Sequence, residues 1–283
     1  MIKPHDHPRY RKTVVSAVDN SGDDIVDDAI RICMLASGSK GNSIYISHRN
    51  TAVLIDAGLS GVEIERRMAS RQISAGDIDA IIVSHEHADH IQGVGVLGRK
   101  HGIPVHISSP TRQNAQDRLG HLPSVAVFSC GGAFCIKDLV IRPFSISHDA
   151  ADPAGFIIGC NGRQIGIATD LGIHTAMVRQ HLKNCCGLIL EANHDPQLLE
   201  HGPYPWPLKQ RVKSRTGHLS NESARDLLME VLHDGLTHVI LAHLSETNNT
   251  PEHALTAVSG QLNRHRPELT VALQHAAGEM ITL

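Results

Sequence analysis

From residue 31 to the C-terminus, short apolar runs alternate with stretches whose apolar residues return every three or four positions. The runs 31–37, 42–47, 51–56, 79–85, 103–108, 139–148, 155–160, 163–170, 187–192, 237–243, 269–274 and 279–283 are rich in Ile, Val and Leu, and this predicts β-strands. Helices are predicted over 61–71, 89–101, 110–119, 173–182, 221–233 and 251–264. Two starts are well marked. Thr250 and Ser220 suit the N-cap, Pro251 suits the first helical turn, and Glu252 complements the helix dipole. So many strands exceed what one helix-flanked sheet holds, and no Ser/Gly/Pro linker divides them. The pattern predicts one domain over 30–283, with two sheets and helices outside them. Residues 1–29 lack the pattern and read as a polar leader.

Composition narrows the function classes. The 283 residues carry a net charge of −3 with histidine neutral, and aromatics make up only 3%. Such a balance gives no general attraction to a phosphate polymer, so any nucleic-acid contact needs a local basic patch. Base-stacking platforms are scarce. The six cysteines form neither CxxC pairs nor a regular framework, and no signal peptide or long apolar span is present. A reduced, cytoplasmic setting without membrane contact is expected. Cys130 and Cys135, and the vicinal pair Cys185 and Cys186, read as apolar packing. With 21 histidines a single one carries little information, and His5 and His7 in the leader are assigned no role.

The stretch Ile81–His90, IIVSHEHADH, is different because it crowds three histidines and two carboxylates directly after a buried strand. His85 and His87 are two apart on extended chain, so their side chains point the same way. Asp89 and His90 then open the next helix. Two imidazoles facing a carboxylate and a third imidazole suit two adjacent metal ions better than one. The HExxH zinc pattern does not fit, since no second histidine follows at the required spacing. A charged, exposed loop is the bland alternative. Further His, Asp and Glu residues recur at strand ends: His148, Asp170, Glu191, His194, His218 and His243. Each alone reads as a surface or hydrogen-bonded residue. Together they would line one rim, where ligands converge.

The motif HEHADH resembles the HxHxDH motif of the metallo-β-lactamase fold. The blocks LASGSKGNSIYI, LIDAGLS, SISHDAADPAGF, IATDLG, LEANHD, GPYPWPLKQR, GHLSN and AHLSETNNTPE resemble the YycJ/WalJ-like family within it. The likeness runs from about residue 31 to the end. It implies an α+β fold, a four-layer αββα sandwich of two mixed β-sheets packed face to face with helices outside. It also implies two divalent metal ions, zinc or manganese: one on His85, His87 and His148, the other on Asp89, His90 and His243, with Asp170 bridging. Asp56 and His194 would support these ligands from behind. Glu191, His218 and His243 resemble extra motifs of β-CASP nucleases such as RNase J, although the long inserted cap domain of those enzymes is absent. Asp89, Glu191 and His218 are accordingly the expected catalytic groups.

Substrate contacts are expected at Lys209, Arg211 and Lys213, which with Arg215 place cations at every second position before His218. On extended chain these would face one way as a phosphate track; a solvated strand edge is the ordinary alternative. Lys40, among glycines and serines in SGSKGN, is a second possible phosphate contact. Trp206 would stack on a terminal base or simply pack down. The leading expectation is a metal-dependent phosphodiesterase acting on DNA ends, a 5′-to-3′ exonuclease serving DNA processing or repair. The alternatives are hydrolysis of a small phosphodiester or lactone, and a metal-stabilised regulatory protein.

Overall fold

A computed structural model describes residues 28–260, 262 and 267–283. The leader with His5 and His7, and most of the chain beyond Gly260 in the predicted 251–264 helix, lie outside the described residues. The first sheet holds β1 (Ile30–Ala36), β2 (Ser43–His48), β3 (Thr51–Ile55), β4 (Ala80–Ile82), β5 (Val105–Ser108) and β6 (Val125–Phe128) in sequence order. The second holds β7 (Phe134–Ile136), β8 (Leu139–Ser145), β9 (Ala154–Cys160), β10 (Arg163–Ala168), β11 (Gly187–Glu191), β12 (His238–Ala242) and β13 (Glu268–Val271). A last short strand, β14 (Ile281–Thr282), returns to pair with β1. Each sheet is mixed. β1 to β3 and β7 to β10 are antiparallel, whereas β3 to β6 and β10 to β13 run parallel.

Both faces of both sheets are covered, which explains why the strands read as solid apolar runs rather than alternating ones. On β1, Ile30, Ile32 and Met34 enter the core between the sheets, while Cys33 and Leu35 pack outward. The outer face of the first sheet lies under α1 (Gly61–Ala69), α2 (Ala88–Ile91), α3 (Val94–His101) and α4 (Ser109–Leu119). Beyond β10 come α5 (Ala176–Leu182), α6 (Pro196–His201), α7 (Trp206–Val212), α8 (Asn221–Val231) and α9 (Pro251–Ser259). Of these, α5, α8 and α9 cover the second sheet. Each aliphatic side chain taken fully out of water contributes about 1.5–3 kcal/mol. Ser220 and Thr250 cap α8 and α9 as expected, accepting from the backbone N–H groups of Ser223 and His253.

The structure departs from the sequence pattern in three places. The helix predicted over 89–101 is broken at Gln92-Gly93, because the backbone there presses on the loop after β3. Gly93 N–H donates to Ala57 O at 2.7 Å, and a Cβ on Gly93 would sit 2.5 Å from Leu59 O. The strands β6 and β7 fall outside the predicted runs; they are four and three residues long, and each lies at the edge of its sheet. Helices α6 and α7 fall outside the predicted helices, and α7 includes cations expected on extended chain. Pro196 and Pro207 sit in the first turns, where a missing N–H costs nothing. Cys185 is buried, but Cys135 is exposed on β7 and does not join a core.

The strand ends set up the site. Asp56, Asp170 and His243 follow β3, β10 and β12, and all three take left-handed backbone with φ of 59°, 59° and 56°. Non-glycine residues held this way cost on the order of 1–3 kcal/mol each, and they persist where surrounding contacts dictate them.

Candidate metal centre

All seven expected ligands meet at one end of the sandwich. His85, His87 and His148 form one group, with ring centroids 4.7, 5.0 and 5.0 Å apart. Asp89, His90 and His243 form a second. Asp170 lies between them: one carboxylate oxygen is 3.2 Å from His243 Nε2, the other 3.5 Å from His90 Nε2, and it also groups with His85. Glu86, the other carboxylate of HEHADH, turns away and accepts from Ala151 N–H at 2.8 Å.

Supporting contacts fix how these groups are presented. Asp56 accepts from Ser84 N–H and Oγ–H at 2.8 and 2.7 Å, and its second oxygen lies 2.8 Å from His90 Nδ1. An ionised carboxylate only accepts, so His90 carries a proton on Nδ1 and turns Nε2 toward the cluster. Asn42, Asn193 and Ser37 were not singled out from the sequence. Asn42 Nδ2 reaches Asp89 Oδ2 and His90 Nε2 at 3.2 and 3.1 Å. Asn193 Nδ2 donates to His243 O at 2.8 Å, and Ser37 Oγ accepts from His243 N–H at 2.7 Å. Polar residues of this kind carry no signal until the fold places them.

Glu191 is fully buried at the end of β11. One oxygen accepts from Leu171 and Leu219 N–H; the other contacts His218 Nδ1 at 2.7 Å and His243 Nδ1 at 3.2 Å. Burial alone would raise its pKa, but the two imidazoles hold it at about 2. His218 therefore bears its proton on Nδ1 against Glu191, which leaves Nε2 facing outward from that pair. His194 is buried but stands outside the ligand groups, and its Nδ1 has no hydrogen-bond partner among the described residues. The expected supporting contact to the ligands is not formed; burial instead drives its pKa down to about 4.

The basic run is a correction. It forms α7 rather than extended chain, so its cations do not face one way. Lys209 and Lys213, one helical turn apart, both bind Glu200: Lys209 Nζ donates to its carbonyl at 2.6 Å, and Lys213 pairs with its carboxylate. Arg211 points the other way and pairs with Asp149 at 2.7 Å, and that carboxylate in turn lies 3.4 Å from His148. Lys40 is held by Glu246 at 2.8 Å. Trp206 remains exposed at the start of α7.

The residues fit a pair of divalent ions. Among the described residues, His85 Nε2, Asp170 Oδ2 and His243 Nε2 are all buried without a hydrogen-bond partner, an arrangement that costs about 1–3 kcal/mol per group unless something else binds there. Nitrogen and oxygen donors in this mixture suit zinc or manganese. The two halves differ in charge. Burial and the neighbouring imidazoles of His90 and His148 keep His85 well below 6.5, and burial lowers His148. Burial opposes protonation of His90 and His243 too, yet Asp170 and the other carboxylates outweigh it, raising His90 well above 6.5 and His243 to about 10.

Metal uptake near pH 7 is therefore expected to release protons and to tighten as pH rises. The sign follows from the raised values: in the metal-free protein the imidazolium–carboxylate pairs add stability below pH 6.5, and that contribution is lost as pH climbs toward 10. Calorimetric zinc titrations in buffers of different ionisation enthalpy count the protons. Uptake with none released would contradict this charge assignment.

Two mixed sheets with a histidine–aspartate cluster at one end define the metallo-β-lactamase fold class. Residues 51–243 match the family model described as beta-lactamase superfamily domain. The chain belongs to that superfamily and, within it, to the YycJ/WalJ family. It is 36% identical over 232 residues to exodeoxyribonuclease YycJ of Bacillus anthracis, covering 81% of this chain and 88% of that protein. It is 37% identical over 233 residues to exodeoxyribonuclease WalJ of Streptococcus pneumoniae, covering 81% and 87%. Among solved structures, the metallo-β-lactamase fold protein YhfI from Bacillus subtilis is similar in fold, with a TM-score of 0.72 at 16% identity, covering 90% of this chain and all of that one. No helix among the described residues is long and apolar enough to cross a membrane.

Proposed function

We propose that this chain is a metal-dependent phosphodiesterase that degrades DNA from its ends, working 5′ to 3′. The observation that carries the reading is the convergence of seven ligand-type side chains, three of them with buried atoms that have no hydrogen-bond partner among the described residues. The names of the relatives support DNA as the substrate. His85, His87 and His148 would hold one ion and Asp89, His90 and His243 the other, with Asp170 shared. Zinc or manganese bound there would supply hydroxide near neutral pH and offset negative charge on the phosphate.

The chain's own groups do the rest. Glu191 fixes the tautomer and orientation of His218, so that its Nε2 can give a hydrogen bond or proton to a phosphoryl or leaving oxygen. Asp89, with its pKa lowered by His90 and His243 against the effect of burial, keeps its carboxylate in the charged form that can hold an ion or accept a hydrogen bond. Arg211 presents a cation at the same rim as His218, and a phosphate one step along the strand meets it there.

The test is digestion of linear and circular DNA by zinc- or manganese-loaded protein. Linear strands labelled at the 5′ end should lose the label first as mononucleotide, and circles should resist. Turnover of small diesters or lactones with intact DNA would move the reading to a small-ester hydrolase. Absence of all hydrolysis with metals bound would leave a regulatory role.

A further inference from the structure

A cavity of about 150 Å³ opens beside the cluster, sharing His218 and His243 as walls. Another part of its wall comes from α7 and the residue Tyr204 just before it. Tyr204, Leu208 and Val212 supply an aromatic ring and two apolar side chains, while Ser39, Ser245 and Arg211 add polar atoms. None of these six belongs to the metal-ligand groups.

We infer that this cavity receives the terminal nucleoside of the DNA strand, its base lying against Tyr204 and Leu208, and that this makes the site end-selective. The inference rests on the nuclease reading above and adds a substrate subsite to it. Position is the first reason: with a phosphate at the cluster, the group bonded to it falls against His218 and His243, at the cavity's inner wall. Size is the second. The cavity's 150 Å³ is about ten times the ~10–15 Å³ that one water needs, which is room for a planar base. Chemistry is the third, since an aromatic ring among aliphatic side chains accepts any base face, whatever its sequence.

The wall is also held in place, as a preformed pocket requires. Lys209 and Lys213 fasten α7 to Glu200, and His218 N–H donates to Val212 O at 2.9 Å. Gly217 permits that approach, because a Cβ there would lie 2.3 Å from the carbonyl oxygens of Arg211 and Val212. The lysines expected to grip phosphate thus brace the pocket instead. Arg211 uses only Nε on Asp149, and its two terminal nitrogens have no partner among the described residues.

The test compares binding of thymidine 3′-monophosphate and 2-deoxyribose 3-phosphate, which carry the phosphate on the oxygen that links a 5′-terminal nucleoside to the next residue, to the zinc-loaded full-length protein by calorimetry. The nucleotide should bind at least about tenfold more tightly, as a base stacked on an aromatic ring implies. Leu208→Trp, which fills the cavity, should remove that preference while leaving metal content and deoxyribose phosphate binding in place. Equal binding of the two compounds to the unmodified protein overturns the inference, as does a preference that survives in Leu208→Trp with metal content intact. Should Leu208→Trp not fold, the unmodified protein alone decides. Linear DNA degraded by a protein that binds the nucleotide and the sugar phosphate equally removes this subsite only. Tighter binding of the nucleotide with no DNA degradation removes the nuclease reading and leaves a nucleotide pocket.

Discussion

Asp170→Ala should lower DNA hydrolysis by at least ~10³-fold and bring metal content below two ions per chain. Asp170 pairs with His90 and His243 of one half, groups with His85 of the other, and is 2% exposed. Burial would raise its pKa, but His243 and His90 hold it well below 3.8, so it is charged at any working pH. Removing it takes away a shared ligand and leaves two imidazoliums without their main counter-ion. The metal-free variant should consequently lose about 3 kcal/mol or more of stability at pH 7, the usual consequence of breaking a buried pair from one side. Asp170→Asn separates the two effects, because it keeps the volume and loses the charge. Activity and metal content are read side by side, by label release and by mass spectrometry. An Asp170→Ala protein that keeps two ions and near-normal turnover would show that the carboxylate is not shared between them.

His218→Ala should lower turnover by about 10²- to 10³-fold while both ions remain bound. The reason is geometric: His218 stands beside the ligand set and is tied through Nδ1 to Glu191, with its ring 5.1 Å from that of His243 and 5.2 Å from that of His148. The loss should fall on kcat more than on KM if His218 acts chiefly as the bond to the leaving oxygen breaks. Glu191→Gln should mimic it in part, since an amide can offer His218 Nδ1 either a donor or an acceptor and no longer fixes the tautomer. A His218→Ala protein with unchanged kcat at full metal content would remove this histidine from the reaction.

Much of this was legible because the relevant signals are local. Strands buried on both faces appear as unbroken Ile, Val and Leu runs, and a polar residue just beyond such a run stands out; that is how Asp170, Glu191 and His243 could be picked from a chain rich in histidine. The crowding at His85, His87, Asp89 and His90 needed no tertiary information. What escaped notice depends on contacts between distant residues. The alternating cations at Lys209, Arg211 and Lys213 fit an extended run as well as a helix, and the choice depends on tertiary contacts such as the burial of Val212, which no local spacing reveals. The prolines at 196 and 207 are ambiguous for the same reason, since they mark loops or first helical turns. Asn42, Asn193 and Ser37 act on ligands that are about 50 or about 200 positions away, and no spacing rule could connect them.

The account rests on two ions held by seven side chains. Anomalous diffraction from crystals grown with zinc, collected on both sides of its absorption edge, tests this most directly. Two peaks are expected, one among His85, His87 and His148 and the other among Asp89, His90 and His243, with Asp170 between them. No peak at this end of the sandwich, or ions seated on other residues, would contradict it.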